Sequence, residues 1–73
     1  MIRGDLSSLR RRAGLTQVEL ARRWGRAQSQ VARLERAPID SASLRTLRAY
    51  VEALGGSCSL SVEVDGDRYD IEL

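Results

Sequence analysis

The sequence predicts a mostly α-helical protein of four or five helices that ends in a β-hairpin. Two observations support this fold class. Glycines follow apolar stretches of helical period at Gly14, Gly25 and Gly55, as is common at the C-termini of helices. In the last part of the chain apolar residues alternate with polar ones, which is the period of a strand. The change of period divides the chain into a helical unit, residues 1–54, and a hairpin extension, residues 55–73.

The first two helices are predicted from their start signals. Asp5 and Ser7 are both suitable N-caps for a helix that continues to about residue 13. The second helix begins after Thr16, and Glu19 three residues later completes a capping box. Several apolar residues of these helices are expected to face the core. They are Leu6, Leu9 and Ala13 in the first helix, and Val18, Leu20, Ala21 and Trp24 in the second.

The third and fourth helices are predicted from apolar spacing. The third covers residues 28–36, and because only three residues separate it from the second, the two helices must meet at a tight corner. Val31 and Leu34 are expected to hold it on the core. A fourth helix follows, capped by Ser41 or Ser43. Its apolar residues recur at helical spacing and are Leu44, Leu47, Tyr50, Val51 and Leu54.

The hairpin is predicted to turn at Asp65-Gly66, a dipeptide typical of type I′ loops. A loop shifted by one residue would place Glu63 opposite Asp70, and the two carboxylates would repel each other. The loop at 65–66 instead pairs apolar residues with each other and opposite charges with each other. The predicted pairs are Glu63 with Arg68, Val62 with Tyr69, and Leu60 with Ile71.

The net charge of +2 is unevenly distributed along the chain. Residues 1–54 hold eleven of the twelve arginines against five acids, a balance of +6, and residues 55–73 hold one arginine against five acids, a balance of −4. A basic unit favours a polyanionic partner, from which an acidic tail should stay away. The use of arginine in place of every lysine has two interpretations, which are nucleic-acid recognition and the codon bias of a GC-rich genome.

Two absences argue against an enzyme. The chain has no histidine and a single cysteine, Cys58, so neither Ser-His or Cys-His catalysis nor a Cys/His zinc cluster is available. No cofactor and no metal are predicted, and Cys58 is expected to be a small apolar strand residue. No stretch is apolar enough for a membrane span or an export signal, which predicts a cytoplasmic protein.

The stretch over residues 15–36, LTQVELARRWGRAQSQVARLER, resembles the helix-turn-helix of the λ-repressor/Cro (Xre) family. The resemblance implies a λ-repressor-like fold and a sequence-specific, double-stranded DNA-binding repressor, bacterial or phage and associated with the nucleoid. It also implies that the third helix enters the major groove. The matching positions are Thr16-Gln17, Glu19, Leu20, Ala21, Gly25, Gln28-Ser29, Val31 and Leu34-Glu35.

The resemblance also implies roles for individual residues. Glutamine is suited to adenine and arginine to guanine, and the start of the second helix favours phosphate. The alternative for the same polar residues is a solvated helix surface. The implied base-reading residues are Gln28, Ser29, Gln30 and Arg33. The implied phosphate contacts are Thr16, Gln17, Arg26 and Arg36. A partly buried ion pair is implied between Arg10 and Glu35.

Three features depart from the pattern of the family. Ala27 stands where Ser or Thr usually caps the third helix, and its loss of the cap costs about 1 kcal/mol. Arg26 stands where an apolar residue is usual. The loop over residues 37–40 lacks the basic residues that contact phosphates in phage repressors. We therefore expect a modest affinity per subunit and a greater need for a dimer.

The last 31 residues, SLRTLRAYVEALGGSCSLSVEVDGDRYDIEL, resemble the C-terminal part of HigA-type antitoxins. This resemblance implies an antitoxin that represses its own operon and neutralises a ribonuclease toxin. A phage-type repressor without a toxin, and a protein-interaction module that has lost DNA binding, remain alternatives.

A hairpin with one apolar face is marginally stable alone, and its free edges favour pairing with a second hairpin. Two copies would form a four-stranded sheet and place two recognition helices about 34 Å apart on a palindromic operator. The alternative is a monomer whose hairpin folds back on the fourth helix. The predicted dimer interface comprises Leu60, Val62, Tyr69 and Ile71.

Overall fold

The computed structural model describes residues 4–73, and it confirms the mostly helical fold with a C-terminal hairpin. Four α-helices and one short 3-10 turn precede two antiparallel strands. The helices are α1 (Leu6–Arg12), α2 (Gln17–Trp24), α3 (Gln28–Arg36) and α4 (Leu44–Ala53), with the 3-10 turn at Ile39–Ser41 between α3 and α4. The strands are β1 (Ser59–Val64) and β2 (Asp67–Glu72).

Most helices begin at a cap that their local sequence provides. The Asp5 carboxylate accepts a hydrogen bond of 2.9 Å from the amide three residues later and starts α1. The predicted capping box of α2 is confirmed, because the Thr16 hydroxyl accepts from the Glu19 amide at 3.1 Å and the Glu19 carboxylate accepts from the Thr16 amide at 3.0 Å. Of the two candidates for α4, the Ser43 hydroxyl forms the cap.

The core is small and lies where α1, α2, α3 and α4 meet. Leu20, Val31 and Tyr50 are fully buried in it, and Ala21 lets α3 approach α2 closely. Because few large side chains are fully enclosed, we expect a stability of only a few kcal/mol. Partly buried side chains pack around this centre, namely Trp24, Leu34, Leu47, Val51, Ala53 and Leu54.

The predicted inward positions of Leu9 and Val18 are wrong, because both side chains are 47% exposed. In α1 the core contacts come from Leu6 and Arg10, which lie one turn apart on the same face of the helix. Leu9 projects to one side of this face. In α2 the inward stripe begins at Gln17 and passes through Leu20, Ala21 and Trp24, so Val18 faces outward. The predicted inward position of Ala13 is also wrong, because the residue is exposed. In the fourth helix, Leu44 is 51% exposed.

The hairpin has the predicted register, with Leu60 opposite Ile71 and Val62 opposite Tyr69. Asp65 and Gly66 form the loop with φ values of 52° and 82°, the left-handed pair that a type I′ turn requires. The residues of both strands are exposed on both faces of the hairpin, apart from a half-buried Val62. The strands pack mainly on each other, and the chain is elongated at 42 × 23 × 19 Å.

Candidate nucleic-acid interface

The third helix carries an exposed polar surface on the side opposite the core. Val31 is fully buried and faces α2, so residues about half a turn away on α3 must face outward. We call this surface the outer face of α3; it consists of Ser29, Arg33 and Arg36, all exposed. Gln28 is also exposed and lies at the edge of this face nearest to α2.

The turn between α2 and α3 sets the direction of this surface. Gly25 ends α2 in the left-handed conformation, with φ 73° and ψ 30°, and this conformation is readily available only to glycine. The amide of Arg26 bonds back to the Ala21 carbonyl at 2.9 Å, which closes the corner. Buried Ala21 and Val31 then hold the two helices together.

A hydrogen bond between two glutamines links the starts of α2 and α3. Gln28 Nε2 donates to Gln17 Oε1 over 3.2 Å, and Gln17 Nε2 donates to Glu35 Oε1 over 3.0 Å. The Glu35 carboxylate can only accept, so Gln17 must present its amide nitrogen to Glu35 and its oxygen to Gln28. Gln28 must therefore use one N–H for this bond, which leaves its Oε1 and its second N–H free. The charge of Glu35 thus fixes the orientation of an exposed amide.

Below this link lies the ion pair of Arg10 with Glu35. Arg10 Nε and Nη2 donate to Glu35 Oε2 and Oε1 over 2.7 and 3.1 Å, and Arg10 Nη1 donates to the Leu15 carbonyl over 2.9 Å. Both side chains are largely buried, at 10% and 5% exposure. The Tyr50 hydroxyl lies 2.8 Å from both Glu35 Oε2 and the Leu6 carbonyl. Every polar atom of this buried cluster therefore has a partner.

The cluster holds Glu35 in its charged form. Burial alone would raise the pKa of Glu35, but the hydrogen bonds from Arg10, Gln17 and Tyr50 outweigh it and lower the pKa below its ordinary value of 4.5. The bond to Glu35 raises the pKa of Arg10 against the effect of burial. Burial, and then the bond to Glu35, raises the pKa of Tyr50, so the phenol stays protonated and can donate.

The start of α2 is only partly free for an anion. The capping box occupies the Thr16 hydroxyl lone pair and the amides of Thr16 and Glu19, and the Glu19 carboxylate adds a negative charge there. The bond from the Thr16 amide is the largest cause of the lowered pKa of Glu19. The amides of Gln17 and Val18 are the remaining unpaired donors of this first turn.

Two other residues predicted to contact DNA are engaged within the chain. The Arg26 guanidinium lies 5.0 Å from the centre of the Trp24 ring, in a cation–π contact, and Trp24 meets Tyr50 edge to face at 5.8 Å. Gln30 Oε1 accepts from the Ala27 amide over 3.1 Å. This bond pairs the backbone N–H of Ala27 just before α3, and it leaves only the side-chain nitrogen of Gln30 free.

The structure therefore brings part of the predicted site together. Gln28, Ser29 and Arg33 share an exposed surface with Arg36. Gln30 instead bonds back to Ala27 at the start of α3, and Arg26 lies over Trp24 at the end of α2. Sequence reasoning missed the second role of Gln17 as the link to Glu35. The spacing of Gln17 to Ala21 and Trp24 places it on the inward stripe of α2 and was the available signal.

The residues predicted to form a dimer interface lie on one face of the hairpin. Leu60, Tyr69 and Ile71 are 38%, 54% and 47% exposed, and Val62 is half-buried. Val64 on the same face is 52% exposed. The helices therefore leave this apolar face largely uncovered. Cys58 is half-buried just before β1 and carries a free thiol.

Neither a membrane-spanning helix nor a metal-binding group is found in residues 4–73. Every helix of this range is too short or too polar to cross a bilayer. In the same range, no group of three or more His, Cys, Asp or Glu side chains is placed to hold a metal ion.

Comparison with known proteins identifies close structural relatives. One solved structure, described as "Induced DNA bending by unique dimerization of HigA antitoxin", matches with a TM-score of 0.84 and 29% identity, over 97% of this chain and 95% of the other. A second, described as "DNA bound antitoxin HigA3", matches with a TM-score of 0.87 and 28% identity, over 100% of this chain and 95% of the other.

Sequence comparison agrees with the structural one. The chain is 38% identical over 66 residues to the putative antitoxin HigA2 of Mycobacterium tuberculosis strain H37Rv, a match that covers 90% of this chain and 65% of that relative. The chain thus spans less than two thirds of the length of this curated relative. A family profile described as a helix-turn-helix domain matches residues 4–60. On this match the chain belongs to the helix-turn-helix domain family, and in sequence and fold it is HigA-like.

Proposed function

We propose that the chain is a dimeric repressor that binds double-stranded DNA in a sequence-specific manner and serves as the antitoxin of a toxin–antitoxin pair. The observation that carries the proposal is the exposed outer face of α3, with the amide of Gln28 held in one orientation at its edge by Gln17. Two HigA structures with this fold support it, since one is described as DNA-bound and the other as dimerising and bending DNA.

Base recognition is assigned to α3, which enters the major groove in this class of domain. The free oxygen and N–H of Gln28 match the N6 donor and N7 acceptor of adenine, and the Arg33 guanidinium matches O6 and N7 of guanine. Ser29 lies between them and can donate or accept. Gln30 offers only its amide nitrogen in the observed geometry, so its share in recognition is the smallest.

Phosphate contacts are assigned to both sides of α3. At the start of α2, the free amides of Gln17 and Val18 favour an anion at the positive end of the helix dipole. Thr16 contributes by capping that turn. Arg36 extends the outer face of α3 toward the backbone. Arg26 comes two residues before α3, and its guanidinium, which lies over the Trp24 ring, would have to leave that ring to contact a phosphate.

Dimerisation is assigned to the hairpin because its apolar face is exposed and its edges are open. A two-fold axis relates two copies of α3, so we expect a palindromic operator with half-sites about one turn, roughly 34 Å, apart. Such a protein acts in the cytoplasm at the nucleoid and has no catalytic role.

The test of DNA recognition uses operator fragments selected from random duplexes by the intact protein. We expect Q28A and R33A each to weaken specific binding by about 1–3 kcal/mol, or roughly 5- to 150-fold, because each removes a bidentate contact. R48A is the matched control, since Arg48 is exposed on α4 in an ion pair with Glu52 at 3.2 Å and lies far along the chain from α3.

Circular dichroism checks that the variants remain folded. Unchanged operator affinity in both Q28A and R33A would contradict the base-reading assignment. An affinity that does not fall with salt would favour a protein-interaction module, because phosphate contacts release counterions. The antitoxin half is tested separately: the tagged chain should co-purify with the product of the adjacent gene and suppress its ribonuclease activity.

A further inference from the structure

The hairpin has two edges, and only one of them is suited to join a second copy. We infer that two copies pair through β1, antiparallel and centred on Ser61, to give a four-stranded sheet in the order β2–β1–β1–β2. The inference rests on the dimer proposed above and names the surface that forms it. It follows from the charge, the backbone direction and the register of the two strands.

The two edges differ in charge. β1 has the sequence SLSVEV and carries one charged residue, Glu63. β2 has the sequence DRYDIE and carries four, three of them acidic. Charged side chains on an edge strand are a common means of preventing pairing with another chain. On this criterion β2 is protected and β1 is open.

The backbone of β1 is free to pair at alternate residues. A two-residue loop is closed by a hydrogen-bonded pair, here Val64 with Asp67. Hydrogen-bonded and outward-facing residues alternate along an antiparallel strand. The N–H and C=O groups of Ser59, Ser61 and Glu63 therefore point away from β2, toward a partner strand.

The register through β1 satisfies every side-chain pair. Residues directly opposite each other must lie on the same face of the sheet, so the apolar residues have to match one another. With Ser61 opposite Ser61 of the second copy, Leu60 lies opposite Val62 and Cys58 opposite Val64. On the other face Ser59 lies opposite Glu63. No two like charges oppose each other in this arrangement.

The registers through β2 that are centred on Asp70, Tyr69 and Ile71 each create a conflict. Centring on Asp70 places two carboxylates directly opposite each other. Centring on Tyr69 places Asp67 opposite Ile71, so a carboxylate faces an apolar side chain of the other copy. Centring on Ile71 places Asp70 opposite Glu72, and these carboxylates repel. Pairing through β1 also leaves β2 as both outer edges, so association stops at two copies.

Disulfide trapping distinguishes the two edges. In a C58S background, Ser61→Cys should form a covalent dimer under mild oxidation. The Cα atoms of residue 61 in the two copies would lie about 5.5 Å apart across the new strand pair. This distance is within the range of roughly 4.4–6.8 Å that a disulfide needs.

Asp70→Cys in the same background is the matched control. Asp70 is opposite Ser61 in the hairpin, is equally exposed and faces the same side, but its copies would be about three strand spacings, or ~14 Å, apart. We expect at least a tenfold slower cross-link for this variant, because Cα atoms more than about 7 Å apart cannot be bridged without backbone movement.

Sedimentation of the reduced C58S protein separates failure of this inference from failure of the proposed dimer. A monomer there would refute the dimer itself. A dimer in which D70C cross-links and S61C does not would overturn the choice of β1, as would a dimer in which neither links. Faster trapping at Val62→Cys than at Ser61→Cys would overturn the register centred on Ser61.

Discussion

A single carboxylate connects the core of this protein to its candidate DNA surface. Glu35 accepts from Arg10, Tyr50 and Gln17, and Gln17 in turn holds Gln28. Removing one partner of such a buried pair commonly costs about 3–5 kcal/mol, which is comparable to the whole stability expected of a chain this small. The stability of the fold and the geometry of the candidate DNA surface therefore depend on the same set of hydrogen bonds.

This cluster predicts a specific dependence on pH. Because the folded protein lowers the pKa of Glu35 below its ordinary value of 4.5, the stabilisation is complete above that value and is lost as pH falls through the folded pKa. Carboxyl carbon-13 shifts should place the midpoint of Glu35 below 4.5, and urea unfolding should show falling stability from about pH 5 downward.

Two exposed carboxylates add to the same acid-dependent loss. Hydrogen bonds from Ser7 and Ser8 lower the pKa of Asp5 to about 2, and the capping box lowers that of Glu19. Their titration shifts can be followed separately in the same spectra. A Glu35 midpoint at or above 4.5 would contradict the proposed hydrogen-bond pattern around its carboxylate.

At the scale of elements, the boundaries could be predicted closely because caps and glycines are local signals. The capping box at Thr16, the left-handed Gly25 and the Asp65-Gly66 loop each act within a few residues. Tertiary packing was harder to predict, since α1 is only seven residues long and its inward position is taken by Arg10 and not by Leu9. Periodicity identified apolar residues but could not show which of them a small core would leave outside.

The turn between α2 and α3 can be tested with two glycines of similar geometry. Gly14 and Gly25 have φ values of 77° and 73°, and neither has atoms that would clash with a Cβ. Alanine at either position should lower the free energy of unfolding by about 1–2 kcal/mol, because it strains the left-handed backbone.

Only Gly25→Ala should also weaken operator binding beyond the loss of folded protein, since Gly25 aims α3 whereas Gly14 ends α1. Chemical unfolding and DNA titration of the two variants provide the comparison. Equal operator affinities for folded G14A and G25A would show that the turn does not set the direction of α3.

At the scale of the molecule, the chain is a basic helical body with an acidic, projecting hairpin. The described residues extend over 42 Å, and the hairpin exposes an apolar face that the helices do not cover. This arrangement could be predicted in outline from the change of period and the uneven charge. The sequence could not show whether the hairpin folds back on α4, because that depends on the path of the chain over residues 54–58.

A charge on the apolar face should separate the two copies. We expect Leu60→Asp to shift the protein to a monomer in sedimentation while its helical circular dichroism remains, because the carboxylate would lie directly opposite Val62 of the second copy and replace an apolar cross-strand contact. Operator affinity should fall with the loss of the second recognition helix.

Arg68→Asn is the control, since it changes a side chain on the opposite, charged face of the hairpin without placing a second carboxylate opposite Glu63. It should remain dimeric. A dimeric L60D protein would contradict the predicted contact of Leu60 with Val62 of the second copy.

The link from Glu35 through Gln17 to Gln28 limits which residues of α3 can change when relatives of this protein come to prefer different operators. A replacement of Gln28 disturbs an amide chain anchored in the interior, so a new base choice there must preserve a donor to Gln17. Ser29 and Arg33 have no such tether in the described hydrogen bonds. On the proposed function, divergence toward new operators is therefore expected to begin at these two positions, with Gln28 retained.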